Sequence, residues 1–198
     1  MSDVKIANKR RELVFSCALS EQGKEETRTF GWPFFRAGIV LTNVHDEILL
    51  VREAKERIQH EDGSSEWVST ENGKWNLPSG RLRLGENFQA AASREGIGET
   101  NYDFELDGIC HIGFRTDADN PYLIVIYHAT TPYYLMADAL KTEEIAEVTW
   151  FDFGEVLELE SAGRLRNAEM AMTAIENVRN GRCYPDDLLR WYKPKNQA

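Results

Sequence analysis

Residues 75–102 constrain the chain most, because a turn rich in small residues runs there directly into a helical stretch whose carboxylates share one face. Ser79, Gly80 and Gly85 supply the turn, and residues 86–99 read as a helix with Phe88, Ala90, Ala91 and Ala92 in its first half. Glu95 and Glu99 stand about 40° apart round such a helix and roughly 6 Å apart along it, so both can reach one cation. Carboxylate, carbonyl and water oxygens suit magnesium or manganese, and magnesium usually completes its shell with substrate phosphates. The pattern therefore points to phosphoryl or pyrophosphoryl displacement. Two glutamates four apart, taken alone, are more often a solvated helix face paired to a neighbour such as Arg94.

The flanking pattern is that of an α/β domain. Residues 36–42 and 47–52 are β-rich and separated by the polar stretch Asn43, Val44, His45 and Asp46, which predicts a hairpin. Residues 53–73, charged and containing Asp62 and Gly63, predict a long exposed loop. Further strands are expected at 104–114, 122–130 and 147–151, and helices at 153–159, 166–179 and 186–191. Near the N-terminus the alternation of Leu13, Phe15, Cys17 and Leu19 favours a strand, within an extension (residues 1–30) packed on a single domain (31–198).

The 198 residues suffice for one good core rather than two. A net charge of −10 is a poor match to the backbone of a nucleic-acid duplex or to an anionic membrane, so neither is expected as a partner. Any phosphate is then handled locally, through a cation. No stretch approaches the roughly 20 apolar residues of a membrane span, and the N-terminus is polar rather than signal-like, so a cytoplasmic protein is expected. Cys17, Cys110 and Cys183 fall in no metal-ligand spacing and read as buried free thiols.

Read onward from Trp75, Leu77, Pro78 and Gly80, the chain places Glu86 six after Gly80, then Arg94 and Glu95, then Glu99. This resembles the Nudix box, G-x5-E-x7-R-E-U-x-E-E-x-G-U with U apolar, and its W-x-L-P-x-G lead-in. The resemblance implies a Nudix-type α/β/α sandwich: a mixed, curved sheet flanked by helices, here with extra C-terminal helices. It also implies Mg2+, or Mn2+ in its place, held by the Gly80 carbonyl, Glu95 and Glu99, with Glu95 and Glu99 ligating metal or activating water. Glu86 and Arg94 would brace the loop against the helix by an ion pair, with Gly85 as the turn residue at the helix entrance. In the region around Trp150 the family often supplies another acidic group, for which Glu144 is the candidate catalytic residue and Glu147 the reserve. Arg52, at a strand end, would reach a substrate phosphate.

The chain departs from the box at three positions. Gly98 replaces the first of the adjacent Glu pair, Gly96 replaces an apolar residue, and Asn101 replaces a Gly. Two helical glycines cost about 0.8–1.0 kcal/mol each relative to Ala, which predicts a loose or distorted helix end. Asn101 is the milder change, being the next-best residue for a left-handed cap. The tail Asn180, Gly181, Arg182, Cys183, Tyr184, Pro185 resembles bacterial Nudix enzymes that hydrolyse small nucleotide di- and triphosphates. The resemblance as a whole implies Mg-dependent hydrolysis of a phosphoanhydride bond in a nucleoside di- or triphosphate, or in a nucleoside diphosphate linked to another moiety. The alternative is a catalytically weakened Nudix-fold module that binds a nucleotide. The partner expected is a small-molecule nucleotide, and the sheet and C-terminal helices are compatible with a homodimer.

Overall fold

The computed structural model describes residues 13–16, 27–30, 34–59, 65–69, 73–115, 121–131 and 145–189. In chain order the strands are β1 (Leu13–Ser16), β2 (Thr27–Phe30), β3 (Phe34–Thr42), β4 (Ile48–Glu53), β5 (Lys55–Gln59) and β6 (Ser65–Ser69). They continue with β7 (Trp75–Asn76), β8 (Ser79–Arg81), β9 (Glu105–Arg115), β10 (Tyr122–Thr130) and β11 (Ile145–Phe151). The helices are α1 (Phe88–Thr100), α2 (Phe153–Ser161) and α3 (Ala168–Arg179).

The sheet that carries the molecule runs β11-β4-β3-β10-β9, with β7 on β4 and β8 on β3. β10 lies parallel to β3 in continuous register from Tyr122 opposite Phe34 to Thr130 opposite Thr42, and the remaining pairs are antiparallel. Buried on both faces, β3 reads as a near-continuous apolar run, as the centre of a covered sheet should. On one face Ala37, Ile39, Leu41 and Leu49 pack with Phe88, Ala91 and Ala92 of α1. On the other, Val40, Leu50, Ile124 and Ile126 pack with Val156 of α2 and Ile175 of α3. The expected mixed sheet between helical layers is what forms. No helix among the described residues is long and apolar enough to cross a membrane.

The structure revises four expectations. The hairpin of β3 and β4 is closed only at its base, by Thr42 opposite Ile48, because β8 takes the free edge of β3 and β7 that of β4. The expected long loop after Glu53 holds a second hairpin, β5 with β6, pairing Lys55–Gln59 with Ser65–Ser69. Its residues are too polar to alternate as a strand with one buried face does, so the period-2 signal was absent. The tail forms only a short 3-10 turn at Asp186–Leu188, and residues from 190 onward lie outside those described. Helix α1 is not distorted by its two glycines but continues to Thr100, where Asn101 caps it at φ 58°, ψ 21°. The N-terminal strand exists as Leu13–Ser16, paired antiparallel with β2; residues 17–26 lie outside the description.

Candidate active site

The splayed hairpin makes the site. With β3 and β4 apart, the turn between β7 and β8 is drawn into the opening, Gly80 opposite Ala37 and Arg81 opposite Arg36. Ile39 N–H donates to the Pro78 carbonyl at 3.0 Å, which fixes the turn against the centre of the sheet. Trp75 N–H donates to Arg164 O at 2.9 Å and Arg166 N–H to Trp75 O at 2.8 Å, so the link between α2 and α3 closes the other side.

From this turn the chain enters α1 through Gly85, whose φ of +83° is costly for a residue with a side chain. The Asn87 side chain then caps the helix by accepting the Ala90 N–H at 2.7 Å. Arg94 is the brace. Its Nε and Nη2 donate to the two oxygens of Glu86 at 2.7 and 2.8 Å, and Nη2 also to Arg81 O at 2.9 Å. Glu86 accepts the Arg83 N–H at 2.8 Å as well. The guanidinium of Arg94, then the Arg83 amide, hold the Glu86 carboxyl down at about 2, while Glu86 chiefly raises the pKa of Arg94. This is the loop-to-helix ion pair expected of Glu86 and Arg94.

The third arm of Arg94 reaches the next residue of the helix, where Nη1 donates to Glu95 Oε1 at 2.5 Å. That carboxylate lies against the Gly80 backbone so closely that a Cβ added there would stand 2.0 Å from Glu95 Oε1. Glu99 joins them one turn on, its Oε2 accepting the Ser79 N–H at 3.0 Å. Burial pushes the Glu99 carboxyl up to about 8, the Ser79 amide opposes this, and the charge of Glu95 adds to it. Glu95 and Glu99 are thus both held against the turn, Glu95 at Gly80 and Glu99 at Ser79.

These groups fit a hard divalent cation. Glu99 is a buried carboxyl whose side chain accepts one hydrogen bond, from the Ser79 amide, and the side-chain oxygen of Asn76, buried in the same turn, has no hydrogen-bond partner. The donors are all oxygens, the set that magnesium and manganese take. Among the described residues no group of three His, Cys, Asp or Glu side chains converges.

The remaining candidates are placed elsewhere or lie outside the described residues. Arg52 pairs with Glu147 at 2.9 Å and its guanidinium lies 5.9 Å from the Trp75 ring centroid. The reserve Glu147 is therefore a partner of Arg52. Glu144 lies outside the described residues. At the start of β3, Phe34 carries the Arg81 guanidinium 4.0 Å from its ring centroid and Phe35 meets Phe88 edge-on. Cys110 is buried and Cys183 half-buried, both as free thiols.

Sequence reasoning missed Ser79, Arg36 and the Glu53–Arg166 ion pair. Ser79 acts through its amide, which no side-chain pattern reveals. Arg36 did leave a signal, as a lone cation inside the apolar run of β3. Glu53 and Arg166 bond across more than a hundred residues, tying the end of β4 to the loop before α3.

A sequence model of the NUDIX domain matches residues 33–172. Among solved structures, a NUDIX hydrolase from Nitrosomonas europaea is similar at 26% identity and a TM-score of 0.64, covering 81% of this chain and 98% of that one. The MutT protein from Methanosarcina mazei Go1 shares 20% identity at a TM-score of 0.54, covering 76% and 96%. The NUDIX domain of Shewanella oneidensis NrtR, solved with ADP ribose, shares 20% at 0.53, covering 77% and 90%. The fold and the braced turn-and-helix are those of an enzyme acting on acid anhydrides of phosphorus, a Nudix-type pyrophosphohydrolase. The chain belongs to the NUDIX family.

Proposed function

We propose that this protein hydrolyses a phosphoanhydride bond in a nucleoside di- or triphosphate, or in a nucleoside diphosphate linked to another moiety, with Mg2+ or Mn2+. The observation that carries the reading is the contact of the Gly80 backbone with the Glu95 carboxylate, one helical turn from buried Glu99. The Gly80 carbonyl, Glu95 and Glu99 would hold the cation, which when bound would neutralise charge on the phosphoryl oxygens and favour ionisation of the attacking water. Arg94 fixes the Glu95 carboxylate, and the Ser79 amide fixes that of Glu99, so neither has to be ordered when substrate arrives. A carboxylate base, Glu95 or the Glu144 that the family resemblance suggests, takes the proton of that water.

A second reading, a nucleotide-binding module with weakened turnover, rests on Gly98, where the family has a carboxylate and this chain has open space. The test is phosphate or pyrophosphate release from a panel of nucleoside di- and triphosphates and ADP-ribose, titrated with magnesium and manganese. Release that depends on metal and is abolished in Glu99→Gln supports hydrolysis. Thermal stabilisation by nucleotide without release under either metal would leave the binding module.

A further inference from the structure

Arg36 is a cation in the wrong place for structure alone. It sits on β3 among buried residues, and burial lowers its pKa against the pull of Tyr122 and Glu99. Among the described residues its guanidinium makes no ion pair within 4 Å, and its one hydrogen bond is a long 3.4 Å contact from Nη2 to Ser79 O. A guanidinium carries five N–H donors, and burying it without an anion is expensive. Arg94 and Arg166 each pair with a carboxylate; Arg36 meets a carbonyl and a ring, its Cζ lying 5.7 Å from the centroid of Tyr122.

Its position between two features gives the missing anion an identity. On one side the Ser79 carbonyl that Arg36 touches belongs to the residue whose amide holds Glu99. On the other side Tyr122 forms a wall of a cavity of about 460 Å³ between the sheet and α3, lined also by His111, Arg115, Asn167 and Thr173. Arg115 approaches the same ring, its Cζ 5.9 Å from the centroid, and donates to Asn167 Oδ1 at 3.1 Å. Carboxylate, guanidinium, aromatic ring and a cavity of mixed lining therefore follow one another from Glu99 through Arg36 to Tyr122.

We infer that Arg36 binds the non-bridging oxygens of the substrate's phosphate next to the scissile bond, and that the substrate's organic group, of nucleoside size, enters the cavity beyond Tyr122. The inference rests on the hydrolytic reading above for the location of the scissile bond. A guanidinium suits this task because its planar fork meets two phosphate oxygens at once, which a lysine ammonium cannot do. The mixed lining, in which Arg115, Asn167 and Thr173 stand beside Phe114, Ile124 and Met170, suits a group with both an apolar ring face and hydrogen-bonding atoms.

The experiment compares the full-length protein with Arg36→Gln and Arg36→Lys in two assays. Steady-state hydrolysis of the best substrate in magnesium should show KM raised on the order of 10- to 100-fold in Arg36→Gln, the size of one or two charge-assisted hydrogen bonds. Arg36→Lys should recover part of it. Direct binding of ADP, measured by calorimetry in magnesium, should weaken in parallel. Thermal melting of the metal-free Arg36→Gln protein should match or exceed the native one, because a structural arginine would leave partners unsatisfied and this one removes an unpaired charge. Unchanged KM and unchanged ADP affinity in Arg36→Gln would overturn the inference while leaving hydrolysis intact. Absence of turnover with ADP binding still lost in Arg36→Gln would sink the hydrolytic reading and support the anion site. Thr173→Trp, which fills the cavity, should raise KM for the nucleotide, and an unchanged KM there would place the organic group elsewhere and overturn that half of the inference.

Discussion

Glu99 Oε2 accepts the Ser79 N–H at 3.0 Å, a bond across twenty residues that fastens α1 to the turn set between β3 and β4. It also holds a carboxyl group where burial raises its pKa to about 8. An unfolded Glu titrates near about 4.3, so between there and 8 the folded state binds the extra proton, and the metal-free protein loses stability as pH rises through that window. Glu99→Gln cannot ionise and escapes the loss. Its metal-free melting temperature should exceed the native one at about pH 9 and approach it at about pH 5. Melting curves in chelator at both values check this; an equal gap at both would show that Glu99 does not titrate as buried.

The opposite sign holds for Glu86. Its carboxyl is held at about 2 by Arg94 and the Arg83 amide, so the pair's contribution is present above the unfolded pKa and vanishes as pH falls toward 2. With side chains only 14% and 23% exposed, the ion pair is screened less than a surface bridge. Glu86→Gln should cost about 1–3 kcal/mol at neutral pH, because it leaves a guanidinium and an amide under-satisfied. The difference from the native protein should narrow at about pH 3 in chemical denaturation. A difference independent of pH would assign the loss to packing.

What was legible in the sequence was what local spacing encodes. Glu86, Arg94, Glu95 and Glu99 all act within one turn and one helix, and their spacing already places them. The splay of β3 and β4 was not legible, because it depends on β7 and β8 arriving from more than twenty residues away to take the two free edges. Arg36 shows the same limit: its residue type stood out in an apolar strand, but its lack of an anion exists only once Ser79 and Tyr122 are beside it.

Gly96 is a case where propensity misled. As a helix-interior glycine it predicts a loose end, yet a Cβ there would meet Phe104 Cζ at 2.5 Å and Ile39 Cδ1 at 2.6 Å. The missing side chain is replaced by the Phe104 ring, and the turn is tightened where Thr100 Oγ1 donates to the Gly96 carbonyl at 2.6 Å. Gly96→Ala should therefore destabilise, by about 1–3 kcal/mol of overpacking, although alanine is the better helix former. Urea denaturation decides the matter, since a stabilised Gly96→Ala would mean that Phe104 yields without cost.

Gly80 and Gly98 should respond to side chains in opposite ways. A Cβ at Gly80 would stand 2.0 Å from Glu95 Oε1, so Gly80→Ala must displace that carboxylate from its place against the turn. Misplacing a reacting group by an ångström costs on the order of 100-fold in rate, so kcat should fall by that factor while melting temperature changes little. At Gly98 nothing lies within 4 Å of an added Cβ, so a longer side chain enters open space at no steric cost. Gly98→Glu also replaces glycine with a better helix former, by about 0.8–1.0 kcal/mol at most. Its carboxylate, one residue before Glu99, would add to Glu95 and Glu99 at the proposed cation site. Turnover in magnesium should rise at least tenfold, on the order of one unit of charge-assisted stabilisation. Parallel assays of the two variants give the answer: a Gly98→Glu protein that is more stable but no faster would mean that two carboxylates already complete the site.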